Sequence, residues 1–511
     1  MKLRPFLSLV ASLPTLYLFL SISSAQTVYG KGVPGTGGVV PTIECDQAWV
    51  GRMDFHVRVG DGLGGTTGFL LYSDAPDAVT VAGSPTFIDV NQLFATHPLT
   101  LGGDPGVSGA GSVEDPFPLA LTPAVAFAGL SLYAQAFLDD SPLGIPASTP
   151  GLEIELTMPP QVAVGTFTVP DPADRLFLVD PLAGTLELDE DTVQTQTLFD
   201  GAYAESGTQL YVSSSLQNQI HQLDLTSSPP AWSTLGTFPG HVLGLRYDGP
   251  RQLLWALADL GTGPRELVAV DVDPAGSPGA LVGVTVGAST FGPPESWTLS
   301  SSGTVAATIA SFSNEVVLLD TDPDSSTFQM VRGTLTVPTS TGLPFPFQFH
   351  PDLEFSPDER QLLVLVQHLG EIPSEVARYD FILGQWIDHD PGTPEVDNIG
   401  PASSPPVPLG AGGRGLSVPR DAFRAGVCGT QGWSGILEFS EDDPTAFAYQ
   451  EVQGATVAEA WVCELDPDGT TFAVASFAPP FVHFFDAVSA GWIHSVGLPH
   501  GTDDFSFLVW R

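Results

Sequence analysis

Lysine is nearly missing from this chain. It occurs twice in 511 residues, at Lys2 and Lys31, and 16 basic residues in all face 58 acidic ones. Such a surface repels phosphate, which argues against nucleic acid and anionic lipid as partners. The plain meaning of the excess is solubility in a salty or crowded exterior; the sharper one is divalent-cation binding by Asp-rich turns. Cysteine is scarce too: Cys45, Cys428 and Cys463 form an odd set whose spacing fits no zinc site. If a disulfide exists, Cys428–Cys463 is the expected pair, since both fall in neighbouring strands of the pattern described below. Glycosylation acceptors of the Asn-x-Ser/Thr type are absent, as are helical heptads and long amphipathic stripes.

Catalytic signatures are missing as well. There is no Gly-Lys-Ser/Thr phosphate loop, no Gly-x-Ser-x-Gly elbow and no His-Glu-x-x-His. Gly-x-Gly-x-x-Gly occurs three times, at Gly30/Gly32/Gly35, Gly60/Gly62/Gly65 and Gly410/Gly412/Gly415. A dinucleotide loop of this kind needs a helix directly after it, so that the helix N-terminus faces the pyrophosphate. None of the three is followed by one.

What is present begins with a targeting segment. Lys2 and Arg4 precede an uncharged run from Phe6 to Ile22, and Ser23-Ser24-Ala25 supplies the small residues that a signal peptidase reads. Residues 1–25 are therefore predicted to be a signal peptide, leaving a mature chain with no transmembrane anchor that is secreted, periplasmic or held at the cell surface. The remaining residues exceed one ordinary domain. Gly 55 and Pro 47 make up a fifth of the chain while 43% is hydrophobic. That mixture fits many short strands joined by tight turns, and predicts an all-β protein.

Two textures divide the mature chain. Residues 27–158 carry short alternating strands, among them Met53 to Val59, Gly68 to Tyr72, Leu130 to Phe137 and Gly151 to Leu156; these predict a β-sandwich. From 160 to 511 one formula recurs, in which an Asp/Ser/Pro/Gly turn is followed by a strongly apolar strand and then by another ending in Asp. Asp171 to Asp180, Glu205 to Val212, Asp248 to Leu257, Ser302 to Ile309, Ser356 to Leu365 and Asp466 to Val474 are its clearest copies, with an irregular one in 410–440. Each apolar strand can be buried only against the next copy, so the copies must stack into a β-propeller. Seven blades are expected, and Phe505 to Trp510, which has no blade of its own, is expected to complete the first and close the ring.

The opening Tyr29-Gly30-x-Gly32, the strand Gly129-Leu130-x-Leu132-Tyr133-Ala134-Gln135-Ala136 and the closing Gly151-Leu152-x-Ile154 resemble a small β-sandwich module of large secreted proteins from planctomycete-like bacteria. The family often has a Cys in the opening glycine stretch, where this chain has Val33. The later repeats, with Ser356-Pro357-Asp358 and Asp466-Pro467-Asp468-Gly469 at their turns, resemble the secreted YVTN/lactonase-like seven-bladed propellers, a fold also close to WD40. In lactonase-like relatives the resemblance implies that His and acidic residues at the axis do the work. Here His241, Glu295, His350, Asp352, Glu354, Arg414, Glu459, His500 and Asp503 are expected near the axial opening, where they could bind a ligand, hold a metal or activate water. Asp320, Asp322 and Asp324, and Asp466 with Asp468, resemble the first half of a calcium loop, although Val331 replaces the Glu that a full loop needs. Capping of turns is their ordinary role, and calcium or another divalent cation is the only cofactor they suggest. The expected function is a monomeric, non-catalytic binding or scaffold protein for a protein, glycan or envelope component. The rival is a lactonase-like or metal-dependent hydrolase built on the axial cluster.

Overall fold

A computed structural model describes residues 26–511 apart from short stretches, the longest being 120–126, 168–174, 192–197, 260–265, 286–293 and 339–347. Apart from one 3-10 turn at Thr36–Gly38, the regular secondary structure of the described residues is all strand.

In the N-terminal part, one sheet orders Gln26–Tyr29, Gly151–Glu155, Ser131–Leu138, Thr67–Ser73 and Leu93–Thr100 side by side. A second contains Thr42–Cys45, His56–Leu63 and Ser108–Pro116. Alternation places Val57 and Val59 of the second sheet against Leu70, Tyr72, Ala134, Ala136, Leu152 and Ile154 of the first, in one core. Gly30 has φ +75°, and a side chain there would strike the Phe87 ring. Tyr29 donates its hydroxyl to Phe87 O at 2.7 Å, which pins the same corner.

Beyond residue 160 the chain forms seven four-stranded antiparallel sheets arranged as the blades of a propeller. The innermost strands of blades 2 to 7 are Leu198–Tyr203, His241–Asp248, Pro294–Leu299, Gln348–Phe355, Gly413–Ser417 and Ala460–Leu465. Blade 1 is built differently. Its inner strand is the C-terminal Asp504–Trp510, paired with Val162–Phe167, so the two ends of the array share one sheet and the ring has no open edge. The irregular copy in 410–440 is blade 6, with strands Gly413–Ser417, Arg424–Gly429, Trp433–Phe439 and Phe447–Glu451.

The burial pattern explains the sequence pattern. Second strands lie between two neighbouring blades, and Leu362 to Val366 are all fully covered, as are Phe472 to Ala475. Continuous apolar runs are what burial on both faces requires. Outer strands such as Val331–Thr336 face solvent and alternate. The Asp that ends the third strand in every blade but the sixth, whose third strand ends in Phe439, is a turn cap. Asp380 Oδ1 accepts the N–H groups of Ile382 and Leu383 at 2.8 and 2.9 Å, and Asp180 and Asp486 do the same for their own turns.

Candidate functional site

All seven innermost strands carry a β-bulge at the same level. The unpaired residues are Ser506, Phe199-Asp200, Leu243, Glu295, His350-Pro351, Arg414 and Trp461, in blade order. A bulge turns an extra residue out of the ladder and bends its strand, so repeating it seven times builds a ring around the axis. Small residues just after the bulges make room for side chains from adjoining blades. A side chain on Gly201 would collide with Phe507 of blade 1, and one on Gly244 with the Trp297 indole of blade 4.

Three residues beyond the bulges lies a second ring: Val509, Tyr203, Arg246, Thr298, Glu354, Ser417 and Glu464. Between the rings is a cavity of about 490 Å³, lined among others by Asp200, Asp352, Glu354, Arg414, Trp461 and Glu464. Arg246, Glu354 and Glu464 also line a second cavity, of about 360 Å³, at the opposite end of the axis. Trp49, Glu155 and Thr157 of the sandwich belong to that second lining. A belt of three ionisable side chains thus separates two axial chambers.

The polar groups here are joined across blades. Asp200 Oδ2 accepts Leu245 N at 2.9 Å and Arg246 Nη1 at 3.1 Å. The other guanidinium nitrogen of Arg246 lies 3.6 Å from Glu354 Oε1, and Thr298 donates its hydroxyl to Glu354 Oε2 at 2.6 Å. Asp352 is occupied on both oxygens, taking Leu353 N at 3.0 Å on one and Leu416 N of blade 6 at 3.0 Å on the other. Ser417 Oγ accepts Leu465 N of blade 7 at 3.0 Å.

Four carboxyls therefore share one enclosed cation. Burial raises Asp200, Glu354 and Glu464 above the usual carboxylate range, and Glu354 adds to the effect on Glu464. Burial and then the neighbouring Glu354 charge push Asp352 up to about 8. Burial alone would lower the Arg246 guanidinium, but Asp200 and Glu354 outweigh it and hold the proton more firmly. Arg246 still keeps 34% of its side-chain surface open to cavity water, although protein surrounds it on all sides. Asp352 thus holds its proton to higher pH than a free carboxyl, and Arg246 keeps the remaining carboxyls from forming a bare anionic cage. Among the described residues no group of three or more His, Cys, Asp and Glu is placed to hold a metal ion.

Of the residues expected at the axis, Asp352, Glu354 and Arg414 line the cavity. Arg414 is exposed at its mouth with the guanidinium 5.0 Å from the Trp461 ring centre. Glu295 and His350 occupy bulge positions by register, and their side chains lie outside the described residues. His500 and Asp503 fall outside them too. His241 and Glu459 are exposed at the rim, before the bulges of their strands, and do not line the cavity. Five residues of extended strand, ~16 Å, separate His241 from Arg246.

Asp320 is buried at the end of a third strand and accepts from Ser325 Oγ, Thr327 Oγ1 and Asp322 N, with Arg332 at 3.1 Å. Asp322 caps Asp324 N. Asp466 and Asp468 close their own turn through Thr470. Cys428 and Cys463 are free thiols, as is Cys45. Asp200, Arg246, Thr298, Trp461 and Glu464 were not among the expected residues. A simple signal existed for the second ring: Arg246, Thr298, Glu354 and Glu464 each stand two residues before the first turn residue of the hairpin, at Asp248, Ser300, Ser356 and Asp466.

No protein-family model matches the chain, and no curated protein matches it. Solved structures do resemble it. A protein from Lactobacillus plantarum is 16% identical, covers 69% of this chain and 100% of its own, and has a TM-score of 0.50. A functionally unknown protein from Desulfotomaculum acetoxidans is 11% identical over 68% of this chain and 98% of its own, with a TM-score of 0.49. A candidate 6-phosphogluconolactonase from Bacteroides uniformis is 10% identical over 69% of this chain and 99% of its own, with a TM-score of 0.47. At these identities the likeness concerns the fold and not the activity.

Proposed function

We propose that this is an exported, non-catalytic binding propeller that takes a hydroxyl-rich ligand, a glycan end, at the bulged mouth of its axis. One observation carries the reading. The carboxyls below the mouth are engaged in joining blades, whereas Phe199, 40% exposed, and Arg414 and Trp461 stand above them facing the cavity. Flat aromatic faces pack against the apolar faces of sugar rings, and a guanidinium with neutral or charged carboxyls beneath it pairs with hydroxyls. A cavity of about 490 Å³ suits one or two sugar units. The targeting segment up to Ala25 supports export.

A hydrolase reading draws on one feature, the raised Asp352 carboxyl next to Glu354. The commitment of both Asp352 oxygens to main-chain N–H groups weighs against it as a free acid or base. Titration of the mature protein with neutral oligosaccharides, followed by tryptophan fluorescence, tests the proposal. Binding that weakens about tenfold in Trp461→Ala and Arg414→Ala supports it, the loss of one stacking platform being worth that order. Lactone hydrolysis that is lost in Glu354→Gln and indifferent to Trp461→Ala would overturn it in favour of the enzyme.

A further inference from the structure

Two of the three cysteines converge on a glycine. A side-chain carbon built on Gly415 would lie 2.9 Å from Cys463 Sγ and 3.0 Å from Cys428 Sγ, so the space that Gly415 leaves empty is where the two sulfurs approach each other. Cys428 pairs with Gly415 from the second strand of blade 6, and Cys463 belongs to the innermost strand of blade 7. Gly415 directly follows the Arg414 bulge, which places the thiols beneath the axial mouth. Cys428 is fully covered, while Cys463 is 6% exposed and lines the axial cavity. Cys45 lies apart in the sandwich, where it donates its thiol to Gln26 Oε1 at 3.2 Å.

We propose that Cys428 and Cys463 are a reactive dithiol that closes into a disulfide between blades 6 and 7, with the oxidant entering through the axial cavity. The chemistry is thiol–disulfide exchange with the disulfide of a small thiol. The Cys463 thiol, which reaches the cavity, loses its proton and attacks one sulfur of the oxidant; the oxidant's S–S bond breaks and one small thiol leaves. The Cys428 thiolate then attacks Cys463 Sγ, the Cys428–Cys463 bond forms, and the second small thiol leaves. Two protein thiols have been oxidised and one small disulfide reduced to two thiols. Burial and the neighbouring Cys428 raise the Cys463 thiol, so the reaction speeds up as pH rises.

Thiol counting on the intact mature protein tests this. The native protein is incubated to completion with oxidised glutathione at about pH 9, where more of the buried thiol ionises than at neutral pH, then quenched in acid, denatured and alkylated. The expected result is a fall from three alkylated cysteines to one, Cys45, with a Cys428–Cys463 cross-linked peptide. In Cys428→Ser the reaction is expected to stop at a glutathione adduct on Cys463. Three alkylated cysteines after exhaustive oxidation, or a cross-link that involves Cys45, would overturn the proposal.

Discussion

Arg246 Nη1 stands 3.1 Å from Asp200 Oδ2, the same oxygen that accepts the Leu245 main-chain N–H at 2.9 Å. One carboxylate of blade 2 thus fixes both the backbone and the side chain of blade 3, and the guanidinium carries the link on to Glu354 of blade 5, 3.6 Å away.

Replacing Arg246 by Leu leaves the axial carboxyls without their enclosed cation. Breaking a fully buried pair costs about 3–5 kcal/mol, but Arg246 is 34% open to cavity water. Screening by that water reduces the expected loss to about 1–3 kcal/mol. Denaturant melts of Arg246→Leu should show it, and the deficit should shrink as acid protonates the carboxyls. A variant as stable as the parent at neutral pH would remove Arg246 from any structural role.

Asp352 gives the axis a pH dependence of definite sign. Its folded pKa is raised to about 8, burial being the larger cause and Glu354 the next. The folded protein therefore holds a proton that the unfolded chain releases. The stability so gained is fully present below about pH 4, the ordinary carboxyl value, and is lost as pH rises through about 8. The loss is at most about 1.4 kcal/mol per pH unit for one proton. Asp352→Asn cannot lose a proton, so its melting temperature should fall less between those limits than that of the parent. Equal slopes in the two proteins would refute the assignment.

Phe507 is the wedge at the ring's closure. Its ring covers both Gly165 of blade 1 and Gly201 of blade 2, and the residue is 4% exposed. Truncation to Ala opens a cavity at the one blade formed from both ends of the array, with an expected cost of about 3–5 kcal/mol. Gly201→Val should be as damaging, since its side chain would occupy the space of the same ring. Thermal melts of the two variants and of the double variant check the point. The double should be milder than the sum, because removal of the phenyl ring makes room for valine.

The array could be read from the sequence because its signals are local. Turns such as Ser356-Pro357-Asp358 and Asp466-Pro467-Asp468-Gly469 mark hairpins, and the apolar strands after them have no surface of their own to hide against. The unmatched strand ending in Trp510 pointed to closure for the same reason. The axial residues were legible only in part. Asp352, Glu354 and Arg414 were found by reading back from turns, but the bulge in each inner strand inserts one residue that the partner strand lacks. Counting from the turn to the strand entrance therefore drifts, and it reached His241 and Glu459 at the rim. A shorter count, two residues back, stays ahead of the bulge and meets Arg246, Thr298 and Glu464. Asp200 and Trp461 sit in the bulges themselves, which have no local sequence signature, since Gly, Pro, Leu and Trp all occur there or beside them.

The Asp320 loop separates the two meanings of the Asp-rich turns. Calcium takes 6–8 oxygen ligands, and a carboxylate that supplies one must have lone pairs to give. Asp320 has already spent its own on the hydroxyls of Ser325 and Thr327, the Asp322 N–H and Arg332. Burial would raise its pKa, but those donors outweigh burial and hold it down to about 2. The sign is opposite to that of Asp352: the stability from this loop is present above about pH 4 and is lost as pH falls through about 2. Chelator and excess calcium should both leave the melting temperature of the mature protein unchanged. Asp320→Ala should lower stability by about 1–3 kcal/mol, because four donors lose their acceptor at once. A parent protein that melts earlier in chelator, with that sensitivity gone in Asp320→Ala, would restore the cation to the loop.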